Sequence, residues 1–378
     1  MSESCPGAAE VHVPSGLHAQ SRFFAATRGL WLRLAALESA ALGDEIRDIP
    51  IDRPVYVTSL PRSGTTILVE MLARHPALTS HRYSDFPNVW TPYWRNYLLQ
   101  KTRRQAPPKQ ERAHRDRIEV SGDSPEAVEE VLWMHFFPDS HDPKSSSVLD
   151  GSRRNATFDT FYRDHIRKLL VVRSASRYLA KGNYNLARIG YLRALFSDAK
   201  FLIPIRDPLH HVASLEKQHR LFCRAGAQDP RVPLQLALAG HFEFGPRRRP
   251  LNLGDDAQVD GIREAWAAGR SVDGWSRYWA MTYRYLLDLL ESDQDAADAC
   301  LLFRYETLCQ SSATVIDRIL EHCELPLAGF EQTRESYCRH LKLPDYYAPD
   351  FSSDEQDLIH ENCTAVYERL CRWIEKPV

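Results

Sequence analysis

A chain of 378 residues with 43% hydrophobic and 26% charged residues can bury one large core, and its composition excludes a disordered or fibrous class. Its 48 basic and 50 acidic residues nearly cancel, which excludes bulk electrostatic attraction to nucleic acid. No apolar run approaches the ~18 residues that a membrane span needs, and Met1–Gln20 lacks the basic and apolar regions of a secretory signal. The eight cysteines are scattered without a C-x-x-C pair, so reduced thiols, a cytoplasmic setting and no metal site are expected.

Residues 17–42 carry Phe24, Leu30, Trp31, Leu34, Leu37 and Ala41 at helical spacing. This predicts one amphipathic helix with that stripe packed on the domain, and residues 1–50 form an N-terminal helical segment. A single α/β domain over 51–378 follows, with insertions near 100–125 and 240–270. Val55–Leu60 reads as a buried strand. It runs into Pro61-Arg62-Ser63-Gly64-Thr65-Thr66 and then a helix with Ile67, Leu68, Met71 and Leu72 on one side, ended by His75-Pro76. A strand, a tight turn and a helix N-terminus aim backbone N–H groups at one point, which makes an anion site. Arg62 adds a charge there, and Ser63, Thr65 and Thr66 add hydroxyls.

The phosphate-loop pattern G-x-x-x-x-G-K-[ST] places a lysine on the β/γ-phosphates. Ser59 takes the first glycine position here, Gly64 the second, Thr65 the lysine position and Thr66 the last. The cradle is kept and the lysine lost, which points away from a triphosphate and toward a shorter anion.

Further along, Ser80–Pro87 carries His81 and Asp85, and Trp90, Tyr93 and Trp94 follow as core residues or the lining of an acceptor pocket. Residues 100–119 are polar and basic with Pro107-Pro108 inside, either a solvated connection or a lid. Glu126, Glu129 and Glu130 read as a solvated acidic face. Strands are predicted at 178–181, 201–206 and 301–305, with helical patterns between, so the fold class is α/β with a mainly parallel sheet and helices on both faces. Lys181 and Arg206 then fall at strand carboxyl ends, where ligands bind in such sheets. Pro208 suits a helix start, and Ser214 lies on that helix, eight residues after Arg206. Residues 245–261, with Arg247-Arg248-Arg249, read as a mobile loop.

Leu60–Thr66 after an apolar strand resembles the 5′-phosphosulfate loop of sulfotransferases that use 3′-phosphoadenosine-5′-phosphosulfate (PAPS), in the arginine form typical of bacterial members. The Arg206-to-Ser214 spacing is similar to their 3′-phosphate site. Arg177–Lys181 resembles the segment preceding that strand, and Cys300–Leu308, with Arg304-Tyr305-Glu306, resembles their R-Y-E-x-L turn. The resemblance spans roughly Val55 to Pro326. It implies a three-layer P-loop-kinase-like fold and a PAPS co-substrate held by Arg62, Ser63, Gly64, Thr65, Thr66, Arg206, Ser214 and Tyr305. It further implies a small-molecule, lipid or glycan acceptor, no metal, and a late basic loop for which Arg247–Arg249 are candidates. Arg62 and Lys181 would serve catalysis. Cytosolic members place a histidine two residues after the lysine, where this chain has Asn183. In the tyrosylprotein group, which shares the arginine form of the loop, a glutamate shortly after the first helix serves as base; by that resemblance Asp85, the nearest carboxylate in Ser80–Pro87, is the first candidate and His81 the second. A P-loop-type kinase and a catalytically degenerate binding protein are the competing readings.

Overall fold

The computed structural model describes residues 11–102, 110–111, 119–343 and 349–376. Most of the basic 100–119 stretch, including Pro107-Pro108, lies outside the described residues, as does Cys5. The strands in chain order are β1 (Val55–Val57), β2 (Leu78–Thr79), β3 (Gln110–Glu111), β4 (Glu119–Val120), β5 (Arg177–Lys181), β6 (Lys200–Ile205) and β7 (Cys300–Arg304). Five of them form one sheet in the order β2-β5-β1-β6-β7, with every pairing parallel. β3 and β4 make a separate antiparallel pair.

Alternation along each strand divides the core into two faces. Tyr56, Tyr178, Ala180, Phe201, Ile203 and Leu302 share one apolar cluster with side chains of helices Ala156–Val172, Pro208–Gln228, Ser271–Ser292 and Ser353–Glu375. Val55, Val57, Leu179, Leu202 and Phe303 face the other way, against helices Thr65–Leu72 and Ser312–His322. Val55, Tyr56 and Val57 are all fully buried, as a central strand of a three-layer α/β/α fold must be. β1 sits between β5 and β6, and the chain leaves it in both directions across the sheet. That reversal opens a crevice at the carboxyl ends of β1, β5 and β6.

Three sequence expectations change. β1 ends at Val57, not Leu60, because the Thr58 N–H bond to the Leu202 carbonyl is followed by the turn. β2, only two residues long, carried no readable signal. The N-terminal stretch is two helices, Ser15–Ala26 and Arg28–Ala41, broken at Thr27. The Thr27 hydroxyl donates to the Phe23 carbonyl four residues back, a bond that competes with the helix ladder. The second helix also turns a different face inward. Leu30 and Leu37 are exposed and Glu38 is buried, paired with buried Lys168 at 3.2 Å. Among the described residues no helix is long and apolar enough to cross a membrane.

Candidate active site

The turn after β1 is held from below by residues the motif does not contain. The Ser59 hydroxyl donates to the Pro204 carbonyl and meets the Tyr283 hydroxyl, each at 2.8 Å. His211 Nε2 donates to the Pro61 carbonyl at 2.8 Å, and its Nδ1 accepts from Trp279 Nε1 at 3.1 Å. Those partners require the neutral imidazole. Burial, with Arg206 and Arg62 nearby, pushes the His211 pKa down to about 3. The Ser63 hydroxyl donates inward to the Leu60 carbonyl, so Ser63 closes the turn with its side chain and has only its amide to offer an anion.

Arg62 and Gly64 both have positive φ, 74° and 100°. A Cβ on Gly64 would sit 2.5 Å from the Tyr305 ring, so glycine is required twice over there. Gly64 caps helix Thr65–Leu72, whose first N–H groups face the crevice end of β1. Thr65 is buried and Thr66 half-buried.

The two halves of the expected anion site meet and interlock. Arg62 Nε donates to Ser214 Oγ at 3.3 Å, and Arg206 Nη1 donates to the Arg62 carbonyl at 3.1 Å. Arg206 lies over the Tyr305 ring, 5.5 Å from its centroid. Helix Pro208–Gln228 starts as read from sequence, with Asp207 as its N-cap and Pro208 in its first turn. One turn past Ser214, Lys217 joins the group; burial and then the Arg62 charge lower its pKa. Arg206 and Lys217 thus both lie near Arg62, which itself donates to the Ser214 hydroxyl. This concentration of like charge suits a multiply charged anion.

Other candidates sit elsewhere. Asp85 is buried. It accepts from Arg173 Nη2 at 2.7 and 2.9 Å, from Asn96 at 3.1 Å and from the Arg82 N–H at 2.9 Å, and His81 Nδ1 lies 3.1 Å away. Burial alone would raise its pKa, but His81 and Arg173 outweigh it and hold the carboxyl far below its ordinary range. His81 is equally enclosed, with Nε2 at 2.8 Å from His165 Nε2. A carboxylate so fully engaged is a poor proton acceptor. Trp90 is a core residue.

Glu129 and Glu130 are buried rather than solvated. Glu129 accepts from Tyr162 and Tyr178, and Glu130 from Arg188 and His141. Arg248 lies 4.1 Å over Trp266 and Arg249 donates to the His141 carbonyl, so this pair packs the loop; Arg247 is exposed.

Lys181 ends β5 beside the loop, in register with Val57. Burial would raise the Glu126 pKa; Lys181, the Tyr83 hydroxyl and His241 overcome this and lower it. Asn183 Nδ2 donates to Glu243 Oε1 at 2.9 Å. His241 and Glu243 were not singled out in the sequence. Their only signal is an H-x-E triplet directly after Gly240, which ends helix Arg231–Ala239. Among the described residues no group of three or more metal-ligating side chains occurs.

A family model described as the sulfotransferase family matches residues 54–233, which contain the loop, Lys181, Arg206 and Ser214. The matched residues are similar to the sulfotransferase family. The chain's fold is similar to that of two solved bacterial sulfotransferases. One is STF9 from Mycobacterium avium, at 15% identity and TM-score 0.52, covering 90% of this chain and 82% of that one. The other is STF1 from Mycobacterium tuberculosis H37Rv, at 15% identity and TM-score 0.50, covering 94% and 99%. No curated protein matches the chain. The expected P-loop-like α/β sulfotransferase fold is therefore present, and sulfuryl transfer is the activity of the family.

Proposed function

We propose that this protein is a sulfotransferase that moves the sulfuryl group of PAPS to a hydroxyl or amine of a small-molecule or glycan acceptor. The observation that carries the reading is the interlock of Arg62, Ser214 and Arg206 at the mouth of the helix Thr65–Leu72. In it, the loop cation donates to the Ser214 hydroxyl and the strand-end cation to the carbonyl of the loop cation's own residue. The 5′-phosphosulfate would lie on the loop amides and Arg62, and the 3′-phosphate on Arg206 and Ser214. PAPS supplies an activated S–O bond whose leaving group is a phosphate. As charge grows on that leaving oxygen, Arg62, Lys181 and the helix terminus are the groups able to stabilise it. Tyr305 would shield the bound anion from water, since its ring already covers Gly64.

The test is transfer of radiolabelled sulfate from PAPS to a panel of phenols, sugars and amines without added metal. Label in an acceptor, lost in Arg62→Ala, is the expected result. Magnesium-dependent ATP turnover with no sulfate transfer would overturn the reading in favour of a P-loop kinase. Binding of PAPS with no transfer to any acceptor or to water would favour a degenerate binding protein.

A further inference from the structure

The residues after Gly240 form a strap held at His241, Phe242 and Glu243. Gly240 has φ 82°, and a Cβ on it would lie 2.6 Å from the Glu130 side chain. The backbone there is pressed onto helix Glu130–Phe136. The His241 N–H donates to the Leu236 carbonyl at 2.8 Å, and the Phe242 N–H to the Tyr184 hydroxyl at 2.9 Å. Arg249 covers the Phe242 ring at 4.4 Å, and His141 meets the same ring at 4.7 Å.

The outcome is a histidine with one nitrogen on a carboxylate. His241 Nδ1 lies 3.5 Å from Glu243 Oε2, with the histidine side chain 33% exposed and the glutamate 9%. Glu243 is anchored in turn by the 2.9 Å bond from Asn183 Nδ2. The Asn183 carbonyl accepts from Thr58 Oγ1 at 3.4 Å, and Thr58 directly precedes Ser59 of the anion loop. Gly182, between Lys181 and Asn183, donates its N–H to the Val57 carbonyl at 3.1 Å. The strap is therefore tied to the crevice end of β1 and β5, beside the loop that would hold the sulfuryl donor.

We infer that His241 is the general base for the acceptor, Glu243 its positioning carboxylate and Asn183 the tie between this pair and the donor loop. The inference rests on the sulfuryl-transfer reading above. With Nδ1–H directed at Glu243, Nε2 carries the lone pair. The acceptor O–H proton passes to Nε2 as the acceptor oxygen forms its bond to sulfur. The S–O bond to the 5′-phosphate breaks, and adenosine 3′,5′-bisphosphate leaves with that electron pair. The imidazolium returns its proton to water after release.

The groups facing His241 are Glu243 on its own strap, Glu126 on the neighbouring segment and Lys181 on β5. Burial alone would lower its pKa and Lys181 adds to that, but the two carboxylates outweigh both and raise it. A base whose pKa is moved toward neutral pH from the histidine value is better matched to its task than the depressed carboxyls of Glu126 and Glu243. Asn183 at the position of the family's histidine is thereby accounted for. It holds the carboxylate of a histidine supplied by another segment.

The experiment follows PAPS turnover with water as the acceptor that is always present, and with the acceptor panel. It uses the wild type, His241→Ala, His241→Gln and Glu243→Gln. Affinity for adenosine 3′,5′-bisphosphate is measured on each. Expected are a loss of about 100-fold or more in kcat for both His241 variants, bisphosphate affinity within about twofold of wild type, and partial rescue of His241→Ala by imidazole. Wild-type kcat should rise with pH through an inflection above the ordinary histidine value, and Glu243→Gln should move that inflection down. Full turnover in His241→Ala with bisphosphate bound would overturn the base assignment alone. Failure of the wild type to bind bisphosphate would overturn the donor reading and this inference with it.

Discussion

Gly64 and Asp85 show how single residues divide between site and scaffold. Gly64 combines a positive φ with a Tyr305 ring atom 2.5 Å from where its Cβ would lie. Gly64→Ala should cost about 1–3 kcal/mol in denaturant unfolding and weaken bisphosphate binding, because either the loop or Tyr305 must move. Gly261, inside helix Asp256–Ala267 with open space at its Cβ, is the control. Gly261→Ala should stabilise by about 0.5–1 kcal/mol and leave binding alone.

Asp85→Asn removes the charge that partners Arg173 in a buried setting. It should cost about 3–5 kcal/mol, while the folded fraction keeps kcat within about threefold. A stable Asp85→Asn protein without turnover would return Asp85 to the chemistry. The carboxylate was visible in the sequence as a candidate base. What could not be read there was Arg173, eighty-eight residues away, closing over it.

At the scale of elements, the strand–turn–helix unit and the Arg206–Ser214 unit were legible because each is local. Apolar runs, a proline at a helix start and a glycine at a turn lie within a few residues of one another. The N-terminal helices were legible only as helices. Periodicity put Leu30 and Leu37 inward, but the buried pair of Glu38 and Lys168 rotates the helix the other way. Burial raises the Glu38 pKa and lowers that of Lys168, each against its partner's opposing charge. Both charges are therefore held at a desolvation cost. Glu38→Gln alone should destabilise by about 3 kcal/mol or more, and Glu38→Leu with Lys168→Met should recover most of that loss or exceed it. In the cycle of Glu38→Leu, Lys168→Met and the double variant, additive losses would contradict the pairing. The His241–Glu243 strap was illegible for a related reason. Its meaning depends on Asn183 and Thr58, which the chain brings to it only through the sheet.

For the whole molecule, buried neutral histidines tie stability to pH. His211 is held at about pKa 3 by burial and its cationic neighbours, and His165 is held well below the ordinary value. The unfolded chain binds protons at these positions near pH 6.5 and the folded chain does not. The stabilisation is therefore complete above that pH and is lost as pH falls toward the folded value. His211 should contribute a slope of about 1.4 kcal/mol per pH unit between roughly pH 6 and 3.5. His211→Gln should flatten the acid limb of urea midpoints by that amount, and an unchanged limb would contradict the neutral assignment. The same histidine fixes the Pro61 carbonyl under the anion loop, so acid unfolding and loss of ligand affinity should coincide.

The measurement that bears most directly on the central claim is calorimetric titration with adenosine 3′,5′-bisphosphate, without metal, on the wild type and Arg206→Ala. Arg206 ties the loop to the proposed 3′-phosphate position, and its loss should weaken binding by about 2 kcal/mol, roughly 30-fold. Tight wild-type binding that falls by this much is the predicted result. Absence of wild-type binding, or equal binding by both proteins, would contradict the assignment of Arg62, Ser214 and Arg206 as the donor site.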